Sequence, residues 1–229
     1  MMTAHVIIVA AGSGARFGSA LPKQYCLLAG RPVLMHTIAR MREALPDAAV
    51  TLVLSSDMRA YWQELCAAHD FVSPPVVDGG ATRSESVARA LAAMPAAAPD
   101  DVVLVHDGAR PLVDTRCVRA VMAAMAAADV CGAMPVVPVT DSLRELRADG
   151  SSDAIDRSRY RAVQTPQAFR APLLREAYAR CAGTSFSDDA SLMEHCGYGR
   201  FVLTEGSATN IKITNPLDLA VAEAMLAHI

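Results

Sequence analysis

Residues 7–25 read IIVAAGSGARFGSALPKQY. An apolar run that ends in small residues and glycines is the pattern of a buried strand entering a loop, whose backbone can approach phosphate oxygens closely. Similar apolar runs recur at 50–54, 102–105 and 133–137, and helical periodicity fills the stretches 33–45, 58–69, 84–94 and 116–128 between them. Near-continuous apolar strands alternating with amphipathic helices indicate an α/β fold with a Rossmann-like, doubly wound, mostly parallel sheet. In such a sheet ligands bind at the carboxyl ends of the strands. Further on, 171–181 and 188–196 read as helices, 200–204 and 211–213 as strands, and 216–228 as a closing helix.

One stretch breaks the rhythm. Residues 138–166 (PVTDSLRELRADGSSDAIDRSRYRAVQTP) are poor in apolar residues and carry a DGSS turn between two short runs. That predicts a projecting β-hairpin arm, and an isolated hairpin is marginal in water. A second copy of the chain is the natural support, so a homodimer built through the arm is expected.

At 229 residues, with 52% hydrophobic and 20% charged residues, the chain fits a single domain spanning 1–229, with 138–166 as an arm within it. A net charge of −3 offers no footprint for nucleic acid, and no apolar run reaches the length of a membrane span. The run 6–11 is too short for a signal-peptide core, which leads to the expectation of a cytoplasmic protein. Six dispersed cysteines without a C-x-x-C pair, and no histidine at ligand spacing, argue against zinc.

The glycine loop is specific in what it lacks. Gly12, Gly14 and Gly18 are spaced G-x-G-x-x-x-G, one residue longer than a dinucleotide fingerprint, and Pro22 interrupts a helix that would follow. No acid occurs from residue 1 to 42, so the ribose-binding carboxylate is missing, and so is a Walker G-K-S/T. Arg16 and Lys23 stand in the loop instead. Two cations around a phosphate chain fit nucleotidyl transfer, where negative charge develops on the α-phosphorus. The neighbouring Arg31, Arg40 and Arg42 read as a solvated helix face.

With its continuation PKQY, this loop resembles the signature of the 2-C-methyl-D-erythritol 4-phosphate cytidylyltransferases of non-mevalonate isoprenoid synthesis. The resemblance runs in order through DGGATRSESV (78–87), VHDGARP (105–111), PVTDS (138–142), AVQTPQAF (162–169), FSDDASLME (186–194) and EGSATNIKIT (205–214). It implies transfer of a cytidylyl group from CTP to the phosphate of methylerythritol phosphate, with Mg²⁺ as cofactor and the two small molecules as partners. A cytidylyltransferase for another polyol phosphate, such as ribitol 5-phosphate, shares most of these motifs. An NAD-dependent oxidoreductase is disfavoured by the loop spacing; a non-catalytic assembly module is disfavoured by the presence of both Arg16 and Lys23.

The resemblance also implies roles for residues. Arg16 and Lys23 would stabilise the transition state; Arg157, offered from the arm to a neighbouring subunit's site, and Lys212 would position the acceptor. Ala10, Ala11, Gly12, Ser13, Gly14, Gly80 and Ser86 would bind CTP, with Ser86 as a donor to cytosine. Asp107, Arg110, Ser142 and Thr165 would hold the acceptor, and Asp107 would also ligate the metal. The other reading of Asp107 is a turn cap paired with Arg110. Arg83 stands between contacting ligand and pairing with Glu85 or Asp78. Arg157, Arg159 and Arg161, two residues apart, would share one face if extended. FSDDAS reads as a helix N-cap, Lys212 as a residue on a strand between two isoleucines, and His106 as a hydrogen-bonded strand-end residue without a catalytic role. No convincing general base emerges. A phosphate monoester needs none, because its second pKa near 6 leaves it largely ionised at neutral pH.

Overall fold

In the computed structural model the described residues are 2–12, 21–184 and 186–228. The order begins β1 (Ala4–Ala10), β2 (Leu27–Leu28), β3 (Arg31–Pro32), α1 (Val33–Ala44), β4 (Ala49–Leu54), α2 (Arg59–Ala68), β5 (Val76–Asp78), α3 (Arg83–Ala93) and β6 (Val102–Asp107). It continues α4 (Thr115–Ala124), β7 (Gly132–Pro138), β8 (Arg144–Leu146), β9 (Ser152–Ala154), β10 (Arg161–Val163) and β11 (Gln167–Arg170). α5 (Ala171–Arg180), α6 (Asp189–His195), β12 (Phe201–Glu205) and α7 (Pro216–Leu226) complete it.

The main sheet runs β10-β7-β11-β6-β1-β4-β5, with β12 paired to β7. β6, β1, β4 and β5 are parallel, while β10 and β11 lie antiparallel to their neighbours. The crossover direction reverses between β1 and β6, and a ligand crevice forms at such a switch point. Ala10 and Asp107 end the two strands there.

Alternation along β1 explains the layers. Val6, Ile8 and Ala10 pack with Leu34, Met35 and Ile38 of α1, Trp62 of α2 and Val118 and Val121 of α4. Ile7 faces the other way, with Val103 and Val105, against Val87 and Leu91 of α3, Leu174 of α5 and Met193 of α6. Both faces are therefore covered, as the unbroken apolar runs require. α7 closes a smaller cluster over Leu28, Val33 and Ile213.

The structure corrects several sequence expectations. The helix read over 116–128 ends at Ala124, and residues beyond it form turns. No strand forms at 211–213; the amide of Ile213 instead donates to Ala109 O at 2.9 Å, and the segment runs beside the end of β6. Arg157–Arg159 is a short 3-10 turn capped by the Asp156 carboxylate, so Arg157, Arg159 and Arg161 do not form one face of a strand. Only part of 138–166 stands apart: β8 and β9 pair with each other around the turn, whereas Arg161–Val163 pairs with β7 in the main sheet. Two cysteines far apart in sequence meet, with Cys181 Sγ 2.9 Å from Cys196 Sγ.

Candidate active site

The switch point opens into a cleft of about 490 Å³ between the β1 loop, the start of α3 and the end of β6. A second cleft of about 210 Å³ continues on the far side of Asp107. Arg83, Asp107 and Lys212 line both, so the two spaces meet at these three side chains.

Lys23 reaches the larger cleft through the residues that follow it. A 3-10 turn, Lys23–Tyr25, starts after Pro22. Tyr25 is buried, with Tyr61 packed edge-on at 5.7 Å. The buried Gln24 amide donates to Ala10 O at 2.8 Å and Gly12 O at 3.0 Å, tying the turn to the end of β1. Ala10, Ala11 and Gly12 line the cleft beside it. Ser13, Gly14, Arg16 and Gly18 lie outside the described residues. Arg31, which lies in β3 rather than on a helix, and Arg42 of α1 are half-buried over the Phe71 ring, and Arg40 pairs with Glu43, so the three do not form one solvated helix face.

The opposite wall is braced from within. The Gly80 amide donates to Ser86 Oγ at 3.1 Å, and that hydroxyl donates to Thr82 O at 2.9 Å. The Ser86 hydroxyl thus braces the loop from within while Ser86 lines the larger cleft. A Cβ on Gly79 would come within 2.3 Å of Ala11 Cβ, and one on Gly108 within 2.8 Å of Ala10 Cβ. Glycine at these two positions lets the cleft walls approach.

Asp107 is the hub. Its carboxylate lies 2.9 Å from Lys212 Nζ, 3.4 Å from Arg110 Nε and 3.7 Å from Arg83 Nε. Burial alone would raise its pKa, but Lys212, Arg83 and Arg110 outweigh it and hold the group well below the usual carboxylate range. Arg110 is aimed by a further bond from Nη1 to Asn210 O at 2.7 Å. Arg83 pairs with neither Glu85 nor Asp78: it binds Asp107 and Asp189, while Asp78 takes Arg59 and Glu85 accepts the Ala81 amide. Thr165 Oγ1 accepts the Asp107 amide at 3.1 Å and meets His106 Nδ1 at 3.0 Å.

His106 is fully buried, and burial drives its pKa down to about 4, leaving it neutral at physiological pH. Its folded pKa lies below the unfolded value near 6.5, so stability is full above that value and is lost as pH falls towards 4. In metal-free, substrate-free protein, urea unfolding is expected to lose about 2 kcal/mol between pH 7 and pH 5 from this residue. His106→Gln should remove that component; an unchanged slope in the variant would assign it elsewhere.

Lys23, Asp107, Arg110, Thr165 and Lys212 thus gather at one place, with Ala10, Ala11, Gly12, Gly80 and Ser86 along the larger cleft. Ser142 and Arg157 do not join them. Both are exposed, and the Arg157 guanidinium donates to Thr140 O within the arm. Sequence reading missed Gln24, Gln167, Asn210 and the pair Tyr178–Asp189. Gln24 and Gln167 sit inside quoted motifs, but their bonds reach 12 to 23 residues away, and no local pattern encodes that.

Among the described residues, no group of three or more His, Cys, Asp or Glu side chains is placed to hold a metal. Among them too, Asp107 is the one acidic side chain lining the larger cleft. A single ionised carboxylate suits Mg²⁺ that takes its remaining ligands from phosphate oxygens and water.

The family model described as 2-C-methyl-D-erythritol 4-phosphate cytidylyltransferase matches residues 4–228. A protein of that name from Porphyromonas gingivalis is 48% identical over 226 residues, covering 97% of each chain. The crystal structure of the enzyme of that name from Thermus thermophilus matches with a TM-score of 0.74 at 39% identity, covering 100% of both chains. That of 4-diphosphocytidyl-2C-methyl-D-erythritol synthase from Anaerococcus prevotii gives 0.83 at 26% identity, over 99% of this chain and 96% of the other. The chain belongs to the 2-C-methyl-D-erythritol 4-phosphate cytidylyltransferase family and is a nucleotidyltransferase.

Proposed function

We propose that the protein transfers the cytidylyl group of CTP to the phosphate of 2-C-methyl-D-erythritol 4-phosphate. The new bond joins an acceptor phosphate oxygen to the α-phosphorus. The bond from the α-phosphorus to the bridging oxygen breaks, and pyrophosphate leaves. The observation that carries this reading is the meeting of two clefts at Asp107, with Lys23 in the larger one and Lys212, Arg110 and Arg83 around the junction. Two polyanions must approach there, and cations offset their repulsion. The acceptor oxygen is already ionised, which agrees with His106 being buried and neutral rather than poised as a base.

In this reading Lys23 and Arg16 neutralise charge on the α-phosphate, and Lys212, Arg110 and Thr165 orient the acceptor. Asp107 would hold Mg²⁺, which would supply further positive charge to the triphosphate. Arg157 and Ser142 come from the arm of a second subunit. The exposed Leu146 and Tyr160 on the arm, and the fact that Arg157 lines neither of this chain's two clefts, support a homodimer. The reading places the enzyme in the cytoplasm, where CTP is found; among the described residues no helix is long and apolar enough to cross a membrane.

The test is pyrophosphate release from CTP and Mg²⁺ with either methylerythritol phosphate or ribitol 5-phosphate. Release is expected to be at least about a hundredfold faster with the first, a margin reachable when buried polar groups lose their partners. Equal or faster release with ribitol 5-phosphate would move the assignment to that acceptor. Light scattering on the same sample should give the mass of two chains, and a fully active monomer would remove the arm from the site.

A further inference from the structure

Asp189 is fully buried in the first turn of α6. Its carboxylate is taken by two other helices: Oδ1 accepts from the Tyr178 hydroxyl of α5 at 2.5 Å, and Oδ2 accepts from Arg83 Nη2 of α3 at 2.7 Å. The residues on either side are pinned to β11 by one side chain. Gln167 Nε2 donates to the Asp188 carboxylate at 2.8 Å, and Gln167 Oε1 accepts the Ala190 amide at 3.1 Å. Asp188 in turn caps α6 through a capping box with Ser191.

The same guanidinium turns its Nε towards Asp107 Oδ1 at 3.7 Å, and Arg83 lines both clefts. Burial works against its charge, yet Asp189 and Asp107 outweigh it and hold its pKa above the usual arginine value. Burial and the neighbouring Asp189 also raise the Tyr178 pKa, so this hydroxyl keeps its proton to donate. A buried ion pair is a weak source of stability, because an apolar replacement of similar volume does as well or better. What it does supply is a fixed direction, and a misplacement of 1 Å near reacting groups can cost about a hundredfold in rate.

We propose that Asp189 is a positioning residue: braced by Tyr178 and the Gln167 clamp, it holds Arg83 in the orientation in which its guanidinium meets Asp107 where the two clefts join. This deepens the cytidylyl-transfer reading and rests on it. Arg83 acts at the junction, and Asp189 acts through Arg83. The segment 186–194 thereby contributes to the site from a helix that lies behind it.

Asp189→Asn keeps the size of the side chain and an acceptor for Tyr178, and removes the charge that holds Arg83. The expected result is a kcat lower by about tenfold to a hundredfold, the range for losing a charged hydrogen bond, with KM for CTP within about threefold. The readout that a purely structural role would not move is a double-variant cycle. In an Arg83→Ala background, Asp189→Asn should cost no further kcat, since nothing remains for it to hold. Losses that multiply in the double variant, or an unchanged kcat in folded Asp189→Asn, overturn the proposal.

Circular dichroism and melting temperature report folding for each protein. Should Asp189→Asn not fold, Tyr178→Phe carries the test: about a threefold loss of kcat is expected, vanishing in the Arg83→Ala background, and an unchanged kcat overturns the proposal. The unaltered enzyme is assayed first. Absence of pyrophosphate release from it would defeat the functional reading itself, a failure separate from any pattern among the variants.

Discussion

Lys23→Ala is expected to lower turnover by about a thousandfold while leaving the protein folded, the size seen when one preorganised donor is removed from a developing charge. Lys23 lines the larger cleft together with Asp107 and Lys212. Its backbone role, accepting the Cys26 amide through its carbonyl, survives in alanine. The turn itself is held by Gln24 and the buried Tyr25. Charge gathers on the α-phosphate as the acceptor adds and pyrophosphate departs, so a lost cation is felt more in kcat than in KM for CTP. Arg16→Ala is expected to behave alike, because the family resemblance gives it the same task. Steady-state pyrophosphate release and a thermal melt measure both effects. Near-normal turnover in either folded variant would sink the assignment of that residue. Lys23→Arg should recover little, since a planar fork does not replace a compact ammonium group.

Asp107→Asn is expected to damage both chemistry and stability. Lys212 and Arg110 would lose their common carboxylate, while Arg83 would keep Asp189. Removing one partner of a buried pair costs about 3–5 kcal/mol, and because the Lys212 side chain is 38% exposed the lower end applies. The stabilising contribution has a definite pH sign. The folded pKa lies below the unfolded value, so the contribution is complete above about pH 4 and is lost as pH falls through the folded value. The acid limb of the unfolding curve should therefore shrink in the variant. Turnover should fall by about a thousandfold, as the carboxylate and the aim of Lys212 and Arg110 are lost together. CTP binding should hold or tighten, since one negative charge leaves a site that receives a polyanion. A folded Asp107→Asn enzyme with ordinary turnover would exclude Asp107 from the reaction.

The strands and most helices were legible because burial on two faces leaves unbroken apolar runs, as in β1 and β6, and one-sided burial leaves a 3.6-residue period, as in α1. Short elements were not. β5 and β11 hold three and four residues, and β11 carries Gln167 and Arg170, whose polar groups are satisfied by distant backbone and by α6. The extended segment around Lys212 matches a strand in its pattern, yet a single bond to Ala109 and the pull of Asp107 set its path. The capping residue Asp188 was readable, because a cap is a local bond between neighbours.

By itself the sequence determined the α/β class, the loop that excludes a dinucleotide cofactor, the family, and most of the residues that gather around Asp107. Each depends on periodicity, residue type or spacing, which are local. Only the tertiary structure decided what those residues do to one another: that Arg83 serves Asp107 and Asp189 rather than Glu85 or Asp78, and that the Ser86 hydroxyl meets Thr82 O. It also set Arg157 apart from the clefts of its own chain. A buried charge must find its partner wherever the fold supplies one. For Arg83 that partner is 106 residues away on another helix, where no local pattern could mark it.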